Sequence, residues 1–264
     1  GTALVVGQGS IGQRHARILS ALGLATRAVS RRANPSPSVF PSLGEALSDG
    51  QPDYVVIASA THEHQRDLER LAGLGFRGRV LVEKPLFDQA LPLPVHDFAA
   101  LHVAYNLRYH PLILALRDLC LSDRICSAQV YVGQYLPSWR PGTDYRASYS
   151  AKAAEGGGVL RDLSHELDYL LWMLGDWQAV TASGGHVSDL EIDSDDVFTL
   201  LVQTARCPMV AVQMNYLDRV GRREITVTTT TRTLRADLVA NRLWIDGTET
   251  AFTPLERDAT YQAM

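Results

Sequence analysis

The chain has 264 residues, a net charge of −4 and 46% hydrophobic residues. That length is enough for two domains with real cores, and the mild negative charge, with no Lys/Arg run beyond pairs, argues against a nucleic-acid partner. No apolar run approaches the roughly 20 residues that a membrane helix needs, no signal peptide is visible, and Cys120, Cys126 and Cys207 lack metal spacing, so a cytoplasmic protein with free thiols and no membrane partner is expected.

Gly1 already stands at the door of a strand, so the N-terminus reads as trimmed. Residues 3–6 form an apolar run, consistent with a buried parallel strand. The run enters Gly7-Gln8-Gly9-Ser10-Ile11-Gly12, and 13–22 reads as a helix. A G-x-G-x-x-G between a strand and a helix is a dinucleotide signal. Gly7 allows a tight turn, Gly9 lets a pyrophosphate approach the backbone, and Gly12 lets the helix pack close. Ser10 and Ile11 open a helix whose free N–H groups and dipole favour an anion.

The alternation continues with a strand at 24–29, a helix at 43–48, a strand at 53–58, a helix at 63–72 and strands at 80–82 and 103–105. Strands alternating with helices predict an α/β fold with a doubly wound parallel sheet. At the end of the second strand, where an acid would hold a ribose 2′-hydroxyl, the chain has Ser30-Arg31-Arg32. A hydroxyl and two guanidiniums suit a 2′-phosphate, which favours NADP(H) and leaves NAD(H) possible. Ala58, Ser59 and His62 end the third strand and are expected to face the cofactor. His62-Glu63-His64 has no third metal ligand at sensible spacing, so no metal is expected. Glu83-Lys84-Pro85 follows the fourth strand, at the sheet edge where such folds bind ligands. Glu83 is placed with the cofactor. Lys84 can hold a hydroxyl or transfer a proton, unless it merely forms a surface ion pair with Glu83.

Residues 86–102 are rich in proline and read as an irregular link, giving domains at 1–105 and 106–264. A helix at 112–121 and a strand at 125–135 follow. The loop 137–149 is dense in Trp, Tyr, Arg and Asp, and Arg140, Asp144, Tyr145 and Tyr149 are candidate sugar contacts. Gly156-Gly157-Gly158 then precede a helical pattern that Gly175 closes. On one continuous helix, Leu160, Leu163, Leu167, Leu170, Leu171 and Leu174 form an apolar stripe, with Asp162, His165, Tyr169 and Trp172 opposite. Asp162 can then sit beside His165 and raise its basicity. Strands are expected at 179–187, 196–203, 210–216, 223–229, 233–238 and 242–245.

Together the glycine motif, Glu83-Lys84-Pro85 and the stretch 156–168 resemble the Gfo/Idh/MocA oxidoreductases over nearly the whole chain. The resemblance implies a Rossmann domain followed by an α/β domain with a large open, mainly antiparallel sheet. It implies that Lys84, Asp162 and His165 line the place where substrate meets nicotinamide, that Asn106 and Arg108 contact substrate, and that a homodimer or homotetramer forms through the C-terminal sheet. Family members are usually longer, so a final helix or more is expected after Met264. Two residues separate Asp162 from His165 where the family pattern has three.

The function expected is hydride transfer between NAD(P)(H) and an alcohol or ketone of a sugar or nucleotide sugar. His165, tuned by Asp162, would be the base, and Lys84 would stabilise the alkoxide or share the proton. The alternative is a dinucleotide-binding sensor or regulatory protein without chemistry, which would need the glycines but no acid–base set. A zinc peptidase fails because His165-Glu166-Leu167-Asp168 is followed by Tyr169, not His.

Overall fold

The computed structural model describes residues 1–31, 36–250, 252–253 and 255–264. Two compact units emerge, Gly1–Tyr105 with Met264, and Asn106–Ala263.

The first unit runs β1 (Thr2–Val6), α1 (Ser10–Ala21), β2 (Ala25–Val29), β3 (Val39–Phe40), α2 (Leu43–Asp49), β4 (Tyr54–Ile57), α3 (His64–Gly73), β5 (Arg79–Val82) and β6 (Ala100–Val103). The sheet is parallel throughout, in the order β3-β2-β1-β4-β5-β6. This is the doubly wound Rossmann order, with its switch point beside β1. Alternation along β1 explains the two faces. Leu4 and Val6 pack with Leu43, Leu47, Leu68 and Leu71 of α2 and α3. Ala3 and Val5 pack on the other side with Leu19 of α1. A strand buried on both faces has no polar positions, which is why its sequence is a continuous apolar run.

Two expectations need correction here. The last strand is Ala100–Val103, so it starts inside the stretch taken as an irregular link and ends before Tyr105. Its residues pair with Arg79–Val82 through backbone groups, and pairing rather than composition decides where it lies. The two-residue β3 carries no periodic signal and was not anticipated.

The second unit contains α4 (Pro111–Leu121), β7 (Ile125–Gly133), α5 (Val159–Asp162), α6 (His165–Leu174), β8 (Trp177–Gly185), β9 (Val197–Thr204), β10 (Val210–Asn215), β11 (Arg222–Thr229), β12 (Thr233–Asp237), β13 (Arg242–Ile245), β14 (Thr248–Thr250) and α7 (Ala259–Ala263). Its eight strands lie in the order β14-β13-β12-β11-β7-β10-β9-β8. Among the described residues of this sheet, only β7 and β10 pair in parallel. One sheet face, carrying Val130, Val132, Val212, Met214, Ile225 and Val227, is buried with Leu112, Ile113, Leu116, Leu170, Met173 and Leu174 of α4 and α6. The other face exposes Gln129, Thr199, Leu201, Gln203 and Gln213. Short β14 was not anticipated from the sequence.

The expected continuous helix after the three glycines is two helices. Leu163 and Ser164 lie in a turn between α5 and α6, which shifts the helical phase. The buried face of α6 is therefore Glu166, Tyr169, Leu170, Met173 and Leu174. Tyr169 belongs to the core at 0% exposure, not to a polar side. Among the described residues no helix is long and apolar enough to cross a membrane.

Candidate functional site

In the first unit the glycine loop joins β1 to α1. Gly7 has φ +99°, closed to most side chains, and a Cβ on Gly12 would overlap the Gly7 carbonyl oxygen. These two glycines are required by the turn and by the close approach of helix to loop. Gly9 differs, since a Cβ there would meet nothing within 4 Å. Its backbone faces open space, and Gly9 is the N-cap of α1, with Ser10, Ile11 and Gly12 in the first turn. The first N–H groups of a helix have no partner within it. Open backbone beside such amides fits a pyrophosphate.

The neighbouring strand ends are braced by side chains. Glu83 is buried, and its Oε1 lies 2.6 Å from Nε2 of buried His15 on α1. Its other oxygen accepts the Lys84 N–H at 3.2 Å. Lys84 follows β5 and is half-buried. Ser59, after β4, donates to Asp67 at 2.7 Å. Ala58 is buried and His62 exposed. His64 is buried, with Nε2 3.1 Å from the Ser59 carbonyl and Nδ1 3.1 Å from that of Leu86. Among the described residues no three His, Cys, Asp or Glu side chains group as metal ligands. Arg31 Nη1 lies 2.6 Å from Glu63, and Arg32 falls outside the described residues.

In the second unit Gly158, at φ +117°, leads into α5, and a Cβ there would overlap the Asp195 carboxylate. That carboxylate accepts the Leu160 N–H at 3.0 Å and so caps the helix. Asp162 ends α5 with 5% exposure, and its Oδ2 accepts the Tyr216 hydroxyl at 2.6 Å. Burial, and then the Asp162 charge, push the phenols of Tyr216 and Tyr149 up, so both stay protonated as donors. Trp139 meets the Tyr216 ring edge-on at 5.2 Å. His165 begins α6 and is half-buried. Asp162 and His165 thus occupy different helices.

The loop after β7 is pinned largely by its own groups. Trp139 donates to the Gln134 carbonyl at 3.1 Å. Asp144 accepts from Arg146 at 2.9 Å, and the Tyr145 hydroxyl accepts the Glu191 N–H at 3.2 Å. A small hollow remains among Leu136, Trp139, Arg140, Thr143, Tyr145 and Ser150. Asn106 is buried and donates to Thr260 at 2.7 Å. Arg108 makes a two-pronged bond to Asp168 at 2.6 and 2.8 Å. Trp172 lies under Arg117 and Arg108, 4.2 and 5.6 Å from its ring centre.

A model of the oxidoreductase family with an NAD-binding Rossmann fold matches residues 2–93, and the Gfo/Idh/MocA C-terminal domain model matches residues 113–251. The chain belongs to the Gfo/Idh/MocA family. No curated protein sequence matches this Gfo/Idh/MocA chain. Solved structures do. GenD2 from gentamicin A biosynthesis, in complex with NAD, is 26% identical over 90% of this chain and 72% of its own, with a TM-score of 0.74. UDP-N-acetylglucosamine 3-dehydrogenase GnnA from Acidithiobacillus ferrooxidans is 20% identical, covers 99% and 85% of the two chains, and has a TM-score of 0.76. Levoglucosan dehydrogenase in complex with NADH is 18% identical, covers 92% and 75%, and has a TM-score of 0.74.

Several polar partners in this Gfo/Idh/MocA chain carry no signal in the sequence. Tyr216, His15 and Glu63 lie 54, 68 and 32 residues from Asp162, Glu83 and Arg31, each with no local pattern that marks the pairing. Glu166 is another. It is fully buried, and accepts from Arg223 at 2.7 and 3.3 Å.

Proposed function

We propose that this oxidoreductase moves a hydride between NAD(P)(H), with NADP(H) favoured, and a hydroxyl or ketone carbon of a sugar or nucleotide sugar. The observation that carries it is on one sheet edge: Lys84 follows β5 where the glycine loop follows β1, and Gly9 there faces open space. Open α/β sheets bind ligands at that edge. The dehydrogenase activities named for GnnA and levoglucosan dehydrogenase support a carbohydrate substrate.

The loop 7–12 and the first turn of α1 would hold the pyrophosphate, with Ala58, Ser59 and His62 along the next strand end. A bound nicotinamide supplies or accepts the hydride. His165, with Asp162 as its partner, takes the hydroxyl proton in the oxidising direction. Lys84 stabilises the developing alkoxide or shares that proton. Asn106, Arg108, Arg140, Asp144, Tyr145 and Tyr149 are proposed to bind substrate, directly or by shaping the loop. The chain is proposed to self-associate through the exposed face of its eight-stranded sheet, which sedimentation would detect.

A panel of free sugars and nucleotide sugars, with NADP+ and NAD+ in turn, tests the proposal through the absorbance of reduced nicotinamide. Lys84→Ala and His165→Ala are each expected to lower kcat at least about a hundredfold. Their combined effect should be less than the product of the two, because both serve one proton transfer. Wild-type turnover in both variants would remove them from the chemistry. Dinucleotide binding with no turnover on any substrate would favour the sensor.

A further inference from the structure

Glu63 has no part in the glycine motif, yet two guanidiniums converge on one of its carboxylate oxygens. Arg31 Nη1 lies 2.6 Å from Oε1 and Arg66 Nη2 lies 2.8 Å from the same atom. Arg31 follows β2, whereas Glu63 and Arg66 follow β4. Those two strands flank β1, whose loop carries the glycines. The cluster therefore spans the end of β2, the position that reads the ribose 2′-group in this fold.

Glu63 and Arg66 alone would be an ordinary helical pair at i and i+3, of small worth when exposed. Arg31 is not part of that helix and reaches the same oxygen from across β1. The Glu63 side chain is only 16% exposed, while those of Arg31 and Arg66 are 61% and 42% exposed. The acid is thus covered by two guanidiniums that remain open to solvent. Burial pushes the Glu63 carboxyl up, but the bonds from Arg31 and Arg66 outweigh it and hold it below its ordinary value. It stays an anion throughout the neutral range. An anionic oxygen taking two guanidinium donors is the arrangement that a phosphate oxygen adopts between arginines.

We infer that Arg31 and Arg66 together form the 2′-phosphate site for NADP(H), and that Glu63 is the internal anion that holds both guanidiniums and competes with the phosphate. This rests on the proposed dinucleotide function and names its specificity residues. Arg66 Nε also lies 3.9 Å from the buried Asp67 carboxylate, so what the cluster offers a phosphate is the solvent-open guanidinium donors of Arg31 and Arg66 and not a net positive charge. The same carboxylate can accept the 2′-hydroxyl of NAD(H). Glu63 therefore narrows a preference that the arginines create.

Calorimetric titration of the full chain with NADPH and with NADH tests this, with melting curves to show that each variant is folded. Arg66→Ala is expected to lower the ratio of NADPH to NADH affinity by about tenfold, the scale of one hydrogen bond to a charged group. Arg66→Gln serves as a second variant that keeps the packing of the stem, with the same direction expected. Glu63→Gln is expected to raise the ratio and to make NADPH binding more sensitive to salt. Proportional loss of both affinities in the Arg66 variants, or a lower ratio in Glu63→Gln, overturns the inference while leaving the dinucleotide function intact. If wild type binds neither dinucleotide, the function itself fails and the inference with it.

Discussion

Loop 7–12 and segment 156–162 both open with glycines and use them differently. In the first, Gly7 and Gly12 serve the turn while Gly9 faces open space, so backbone is left over for a ligand. In the second, Gly157 would overlap the Tyr149 carbonyl if it bore a Cβ, and Gly158 would overlap Asp195. Those glycines serve packing within the fold, and the role proposed for Asp162 rests on its side chain. A ligand site made of backbone depends on neighbours in sequence. One made of side chains depends on buried partners elsewhere, such as Tyr216 for Asp162. The second unit should therefore be the more sensitive to loss of single polar groups, and the first to loss of backbone shape.

The largest expected effect tests the buried polar partners. Glu166 is fully buried and pairs with Arg223, which keeps 26% of its side chain exposed. Breaking a buried ion pair costs about 3–5 kcal/mol. Glu166→Ala should fall at the lower end, because water can still reach Arg223. Urea denaturation measures it, and a cost near zero would show that the pair does not hold the second unit.

Next is acid sensitivity. His110 caps α4, its Nδ1 accepting the Leu112 N–H at 3.2 Å. Burial, helped by the Arg223 charge, holds its pKa down to about 4, from an ordinary 6.5. The native ring is neutral over that interval, while the unfolded chain takes up a proton. Its contribution is thus fully present above pH 6.5 and lost as pH falls towards 4, by up to about 3 kcal/mol. His110→Asn keeps a capping acceptor and should flatten that part of the stability curve between pH 7 and 4.5. An unchanged slope would assign the acid loss to other groups.

The smallest expected effects on stability sharpen the contrast within the first unit. Gly12→Ala forces a Cβ into the Gly7 carbonyl and should cost about 1–3 kcal/mol, as overpacking does, along with dinucleotide binding. Gly9→Ala meets no atom and sits at φ −71°, which alanine adopts readily. Its melting temperature should match wild type while dinucleotide affinity falls. Unchanged affinity in a folded Gly9→Ala protein would mean that no pyrophosphate rests on Gly9.

The order of apolar runs and the glycine spacing determined the parallel sheet, because strands buried on both faces must be apolar and a tight strand-to-helix turn admits few residues. The alternating residues of 223–229 likewise marked a one-sided strand, observed as Arg222–Thr229. Tertiary structure alone decided the turn at Leu163 and Ser164, where a leucine at helical spacing gives no sign that the helix stops. It also decided that Glu63 meets Arg31, that Glu83 meets His15, and that Asp162 meets Tyr216. Hydrophobic periodicity records which face of one element is buried. A polar pair between distant elements has no period, since its energy depends on distance and burial that exist only after the chain has folded.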